Sequence, residues 1–275
     1  MSVLNYAIPP ILQLEPTTDC NLGCPSCLRT RFCRPGESLS FDAFTRIIGS
    51  SKSRYLTLHG WGEPLLTPDL IKMIRHAAAH RKSVNFTTNA TRLADEADAL
   101  IGSGLAAIAF SLPDIDRCTA EISANIRYFM ERREACKTKS PKTYINIVLL
   151  EENTSQVEKM LALAKDFDVD TVTFERSFPW TPALQREENS LFARISATAR
   201  DLGCQFRLPP AHVFPCQLMR YTLFVRCNGD VAPCCYRADV VLGNIHSDSM
   251  VRIMQSRARF LKTQKSDPVC CVCRV

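Results

Sequence analysis

Apolar residues along this chain switch repeatedly between alternation and helical spacing. Ile11-Leu12-Gln13-Leu14 is a short apolar run, and Phe41, Phe44, Ile47 and Ile48 recur at helical spacing behind Ser40, a good helix N-cap. Tyr55 to Leu58 alternates as a strand does, and Thr67-Pro68 is expected to cap a helix whose Leu70, Ile71, Ile74 and Ala78 share a face. The same exchange continues through strands at Ser83–Thr87, Ala106–Ser111, Tyr144–Leu149 and Thr171–Phe174. Helices are expected around Leu93 to Ile101, on Ile122, Ile126 and Phe129, and on Val157, Met160, Leu161 and Ala164. Ser177 to Pro182 interrupts the pattern as a loop before a last helix through Leu191, Ile195 and Leu202. Six strand–helix units in strict alternation predict a parallel sheet with right-handed crossovers, curled into a barrel or doubly wound.

Composition changes this picture in one respect. The 275 residues, 46% hydrophobic and 23% charged, suit one large α/β domain with a small appendage. The net charge of +6 is spread along the chain, which suits an anionic ligand or acidic partner and argues against nucleic-acid binding. No long apolar run and no secretion leader at Met1 is seen, so the expectation is a cytoplasmic protein without a membrane partner. The anomaly is 14 cysteines, which in a core-rich chain in a reducing compartment point to metal or cluster ligation.

Three of them form Cys20-x3-Cys24-x2-Cys27 directly after the first apolar run. A [4Fe-4S] cube has four irons, so three thiolates leave one iron open, whereas a structural zinc site would need a fourth, distant ligand. Glu15-Pro-Thr-Thr-Asp-Cys20-Asn-Leu-Gly-Cys24-Pro-Ser-Cys27 resembles the signature loop of the radical S-adenosylmethionine (SAM) enzymes. The resemblance implies an incomplete (β/α)6 TIM-like barrel with its chemistry at the C-terminal strand ends. It also implies that the open iron chelates SAM and that one electron cleaves it to a 5′-deoxyadenosyl radical.

The same resemblance supplies expectations for SAM. His59-Gly60-Trp61-Gly62-Glu63-Pro64 is similar to the family's Gly-Gly-Glu-Pro segment, with Trp61 in place of the first glycine, which leaves open which carbonyl meets the SAM amino group. Thr88-Asn89-Ala90 resembles its Thr-Asn-Gly, and Ser111 ends the fourth strand where the family often places a ribose or carboxylate contact. Gly60, Gly62, Glu63, Pro64, Asn89 and Ser111 are thus the expected SAM-binding residues.

Cysteine density rises after Leu208-Pro209-Pro210, so residues 1–207 are expected as the barrel and 208–275 as a second domain. Cys216, Cys234, Cys270 and Cys273 resemble the ligands of the twitch, a shortened SPASM domain that binds an auxiliary cluster. Cys235 and Cys271 stand beside two of them and leave the pairing open, and structural zinc is the competing occupant. Phe224 to Cys234 reads as a hairpin with an Asn-Gly-Asp turn, and Met250, Ile253 and Met254 begin a helix. Cys33, Cys118, Cys136 and Cys204 read as small apolar residues.

A second, fully ligated [4Fe-4S] cluster suits electron transfer. Length and cysteine spacing resemble the family's aminocyclitol dehydrogenases, so the first expectation is an oxidoreductase acting on a small alcohol or amino sugar. The alternative is a maturase forming C–C or C–S bonds in a ribosomal peptide or natural product. With the first strand beginning by Ile11, the expectation is that the N-terminal recognition module such enzymes often carry is missing, which tilts toward a small molecule without excluding a peptide. A non-catalytic iron–sulfur carrier is the third class, opposed by Gly62-Glu63-Pro64 beside the open trio. Glu175, Arg176, Tyr236 and Arg237 are candidate substrate contacts. Arg29, Arg31 and Arg34 are candidates for the barrel mouth or for docking an acidic flavodoxin- or ferredoxin-type electron donor.

Overall fold

The computed structural model describes residues 8–32, 36–112, 115–116 and 118–275, so Cys33 and Arg34 lie outside the described residues. Strand β1 (Ile11–Leu14) precedes the cysteine loop, which ends in a short helix α1 (Arg29–Phe32). Ser40 caps α2 (Phe41–Ser50) by accepting Ala43 N at 3.2 Å, and α2 buries the expected Phe44, Ile47 and Ile48. After β2 (Tyr55–Leu58) the chain departs from expectation. Thr67 N–H donates to Pro64 O and closes a 3₁₀ turn, so α3 (Leu70–Ala79) starts from Asp69, which pairs with Lys72 at 2.7 Å instead of capping. β3 (Ser83–Thr88), α4 (Leu93–Ile101), β4 (Ala107–Ser111) and α5 (Ala120–Ala135) follow in the predicted order.

β5 (Lys142–Leu149), α6 (Val157–Asp166), β6 (Thr171–Arg176) and α7 (Pro182–Asp201) complete the alternation. Thr181 caps α7 by accepting Leu184 N at 3.3 Å, with Pro182 in the first turn where its missing N–H costs nothing. Two short elements had no signal in the pattern, β7 (Phe206–Arg207) and α8 (Gln217–Tyr221). The expected hairpin is β8 (Thr222–Val225) and β9 (Asp230–Ala232), turning at Gly229 with φ +89°. β10 (Gly243–Asn244) and α9 (Met250–Thr263) end the fold. No helix among the described residues is long and apolar enough to cross a membrane.

The chain forms two compact units. One holds the described residues up to Phe86, Ser103–Leu105 and Val213–Cys271; the other holds Thr87–Gly102, Ala106–His212 and Val272–Val275. In the first unit the strand order is β10-β9-β8-β1-β2-β3. β1 lies between β2 and β8 and is parallel to both, while β8, β9 and β10 pair antiparallel. In the second unit β4, β5, β6 and β7 are all parallel, with Ser111 opposite Asn146 and Val148 opposite Glu175.

Asp170, just before β6, ties the second unit together. Its carboxylate accepts from Arg133 Nη1 (2.8 Å), Thr143 N (2.8 Å) and Thr143 Oγ1 (2.9 Å). Burial pushes this carboxyl up, but the bonds from Thr143 and Arg133 outweigh it and bring it down to about 2. Because the folded state depresses this group from 3.8, its stabilisation is complete above that value and is lost as pH falls through about 2. Asp170→Asn is expected to cost about 2 kcal/mol at neutral pH. Urea unfolding should show it, with the difference from wild type shrinking toward pH 2; an equal loss at every pH would refute the assignment.

Candidate functional site

The cysteine loop is held at its base and left open at its tip. Glu15 N donates to Val225 O at 2.9 Å, and the buried Glu15 carboxylate accepts Trp61 N at 3.1 Å and pairs with Arg226 Nε at 3.9 Å. Thr17 and Thr18 bond to the Glu37–Ser38 segment, and Asp19 Oδ1 accepts Gly36 N at 2.7 Å. Beyond that base Cys20, Cys24 and Cys27 are half-buried. Cys27 N donates to Cys24 O (3.1 Å) and Leu22 N to Cys20 Sγ (3.4 Å). Burial raises the Cys20 thiol; the Leu22 N–H opposes this and the Glu63 carboxylate adds to it.

The segment after β2 is pressed onto this loop. His59 N donates to Leu14 O (3.0 Å), Gln13 Nε2 to His59 O (3.1 Å) and Glu63 N to Asp19 O (2.7 Å). A Cβ on Gly60 would collide with the Glu15 side chain, and one on Gly62 with the carbonyls of Thr17 and Asp19. Only glycine permits so close an approach. Glu63 is buried and directs Oε1 at Leu65 N (3.1 Å), capping the 3₁₀ turn that begins at Pro64. One carboxylate oxygen expected for SAM therefore already serves the backbone.

His59 opens the glycine-rich segment directly after β2 but has no role in the expected SAM-binding set. Its Nδ1 is buried without a hydrogen-bond partner among the described residues, and burial pulls the imidazole down to about 4. It is neutral at physiological pH.

Asn89, Ser111, Glu175 and Arg176 belong to the second unit. Asn89 Oδ1 accepts Thr91 N (3.0 Å) and Thr91 Oγ1 (2.7 Å). Ala90 adopts φ +62°, which explains why glycine suits this position, and Asn125 Nδ2 secures the Ala90 and Thr91 carbonyls at 3.0 and 3.1 Å. Half-buried Glu175 shares a strand face with Thr171 and Thr173, and burial raises its carboxyl. Arg176 takes the opposite, buried face. Its guanidinium grips Glu188 with two bonds of 2.9 and 3.0 Å and donates to Pro210 O and Arg274 O. That engagement gives the guanidinium four bonds within the second unit.

In the first unit, Cys216, Met219 and Cys234 form a buried group packed by Leu218, Tyr236, Phe260 and Leu261. Gln264 Oε1 accepts Cys216 N (3.1 Å), and its Nε2 meets Met219 Sδ (3.2 Å). Arg237, the other arginine expected as a substrate contact, is also engaged by protein groups. Its N–H donates to Cys234 O, and its side chain pairs with Asp239 and Asp267 at 3.2 Å each. Asp267 Oδ1 accepts Cys270 N at 2.9 Å and Val269 N at 3.0 Å, so this ion pair shapes the loop that carries buried Cys270.

The neighbouring cysteines are placed differently. Cys235 packs with Phe224, Ala232 and Ala238, and Cys271 is exposed with its thiol toward Pro268 O. Cys227 is buried against Glu37, and burial with the Glu15 and Glu37 charges pushes it up to about 12. Cys273 is half-buried and belongs to the second unit. Cys136, expected as a packed apolar residue, is exposed at the end of α5.

Whether these residues fit iron–sulfur clusters is decided by their chemistry. Among the described residues no three His, Cys, Asp or Glu side chains converge as around a bound ion. Two features nevertheless call for a charged group. Burial, then Cys235 and Cys216, hold the Cys234 thiol well above its usual range, so a thiolate there needs a cation such as iron. On α9, Arg257 is 2% exposed with Nε and Nη2 lacking partners among the described residues. It lies one turn before Phe260 and Leu261, which pack on Cys216 and Cys234. Burial lowers its guanidinium only to about 10, so it stays charged, and a buried charge of this kind implies an anionic partner such as a thiolate-ligated cluster. The residues fit.

Comparison with known proteins agrees with this chemistry. Residues 14–164 match the radical SAM superfamily, and residues 216–274 match the SPASM iron-sulfur cluster-binding domain, which answers for iron–sulfur over zinc. The tungsten-containing aldehyde ferredoxin oxidoreductase cofactor-modifying protein of Pyrococcus furiosus is 24% identical over 62% of this chain and 52% of its own length. A PqqA peptide cyclase of Streptomyces rochei is 29% identical over 60% of this chain and 47% of its own. The chain thus spans about half the length of these curated relatives. Streptococcus suis SuiB, solved bound to its precursor peptide SuiA, shares the fold with a TM-score of 0.67 at 16% identity, over 95% of this chain and 66% of that one. SAM and an iron–sulfur cluster are therefore its cofactors, with an auxiliary cluster in the SPASM segment, and the chain belongs to the radical SAM superfamily.

Proposed function

We propose that this protein is a peptide maturase that uses SAM to abstract a hydrogen atom from a C–H of a precursor peptide, SAM leaving as methionine and 5′-deoxyadenosine. The carbon radical would close a new C–C or C–S bond onto a second C–H or S–H, whose hydrogen would leave as a proton while one electron passes to the auxiliary cluster. The observation that carries the radical part is the close seating of Gly60 and Gly62 on the Thr17–Asp19 backbone and Glu15, beside Cys20, Cys24 and Cys27. A carrier of electrons alone has no use for a glycine cradle at that loop. With a [4Fe-4S] cluster and SAM bound, the site supplies a 5′-deoxyadenosyl radical. In this reading Cys20, Cys24 and Cys27 hold that cluster, and the Gly60–Pro64 segment, with Asn89 and Ser111, binds SAM. Cys216, Cys234, Cys270 and Cys273 hold the auxiliary cluster, and residues 208–275 are its domain. Glu175, whose neutral form is favoured by burial, is suited to donate a hydrogen bond or proton to substrate.

The peptide part is supported by two of the three relatives above, one named as a peptide cyclase and one solved with a precursor peptide, and the length resemblance favours oxidation of a small alcohol instead. Electrons would come from a flavodoxin- or ferredoxin-type donor. Anaerobically reconstituted full-length protein, given SAM, dithionite and deuterated peptides encoded beside its gene, should release deuterium-labelled 5′-deoxyadenosine, read by mass spectrometry. Label arriving only from small alcohols or amino sugars would overturn the peptide assignment. No deoxyadenosine at all would overturn the radical chemistry.

A further inference from the structure

Trp61 stands in the glycine-rich segment where the family's pattern has glycine, and its side chain does not end there. Its backbone N–H donates to Glu15 Oε1 at 3.1 Å. Its indole Nε1–H donates to Cys235 O at 3.1 Å, across 174 residues of sequence. The ring meets Tyr236 edge-on with centroids 5.7 Å apart, and Phe32 of α1 at 6.2 Å. Cys235 and Tyr236 directly follow Cys234 and lie in one 3₁₀ turn with Arg237. A single side chain in the first unit therefore touches the helix after the cysteine loop, the glycine cradle and the turn after Cys234.

We propose that Trp61 couples SAM binding to occupancy of the auxiliary site, as a positioning residue. With the auxiliary site loaded, Cys234 would be held as a ligand, and with it the carbonyl of Cys235 to which the indole is bonded. The indole then holds the backbone between Gly60 and Gly62, two positions that have no side chains of their own to hold them. This rests on the assignment of Gly60–Pro64 to SAM and of Cys216 and Cys234 to the auxiliary cluster. Two interactions, a neutral hydrogen bond and an edge-on ring contact, set the scale of the coupling at about tenfold in affinity.

A double-mutant cycle tests it. Wild type, C216A, W61F and C216A/W61F are reconstituted anaerobically, and iron content and SAM affinity are measured. C216A is expected to lose about one cube and bind SAM about tenfold more weakly. W61F, which keeps a ring but lacks the indole N–H, should keep its iron, and on its background C216A should weaken SAM by clearly less than tenfold. Equal weakening on both backgrounds, or none on either, would overturn the coupling alone. Wild type that binds no SAM, or C216A with full iron, would overturn the underlying assignment as well. Reciprocity supplies a check on wild type alone: in equilibrium competition with a chelator, saturating SAM must raise the protein's hold on the auxiliary cluster by the same factor of about ten, and an unchanged equilibrium refutes the coupling.

Discussion

Cys24→Ala is expected to abolish 5′-deoxyadenosine formation while leaving the fold intact. The prediction separates the loop's base from its tip. The base is set by bonds of Glu15, Thr17, Thr18 and Asp19 to Val225, Trp61, the Glu37–Ser38 segment and Gly36, none of which uses the Cys24 thiol. Among the described residues, the bond from Cys24 within the loop is made by its carbonyl, which alanine retains. The thiol itself is half-buried, so its removal leaves little apolar cavity. What disappears is one of three cluster ligands, and two thiolates do not hold a cube in place. Circular dichroism and thermal unfolding should match wild type, iron should fall by about one cube, and deoxyadenosine should fall below detection. Wild-type cleavage in this variant would remove the basis for the radical assignment.

Cys234→Ala should give the opposite division of effects: loss of about one cube, SAM cleavage partly retained, and peptide product lost. The choice between adjacent cysteines follows from their surroundings. Cys234 packs with Cys216, whose N–H is fixed by Gln264, whereas Cys235 turns toward Phe224, Ala232 and Ala238. Cys270 is buried with its N–H on Asp267, whereas Cys271 is exposed. Cys235→Ala and Cys271→Ala should therefore both keep full iron. Iron lost from Cys235→Ala and kept in Cys234→Ala would reverse the ligand assignment.

Much of the candidate site could be read without coordinates because its signals are local. The trio in Cys20–Cys27, the glycines at 60 and 62, and the Asn-Gly-Asp turn at Asn228–Asp230 each act within a few residues. Other engagements were not legible for want of neighbours. Arg176 and Arg237 read as strand-end or loop charges near the chemistry, yet their partners Glu188, Pro210, Arg274, Asp239 and Asp267 are brought in by folding. His59 looked unremarkable because its buried Nδ1 is a property of packing.

By itself the amino-acid order determined the succession of strands and helices, since periods of two and 3.6 residues dictate which side chains can be buried together. It also supplied the three-cysteine loop, whose spacing leaves one iron of a cube open, while SAM and an auxiliary cluster in place of zinc followed from the resemblance and the family match. Only the tertiary structure decided that β8 runs parallel to β1, joining the C-terminal cysteine segment to the sheet that carries the cysteine loop. It alone gave Trp61 its partners at Cys235 and Tyr236. Those pairings join residues far apart in the chain, and no local period encodes which distant backbone a strand or an indole will meet.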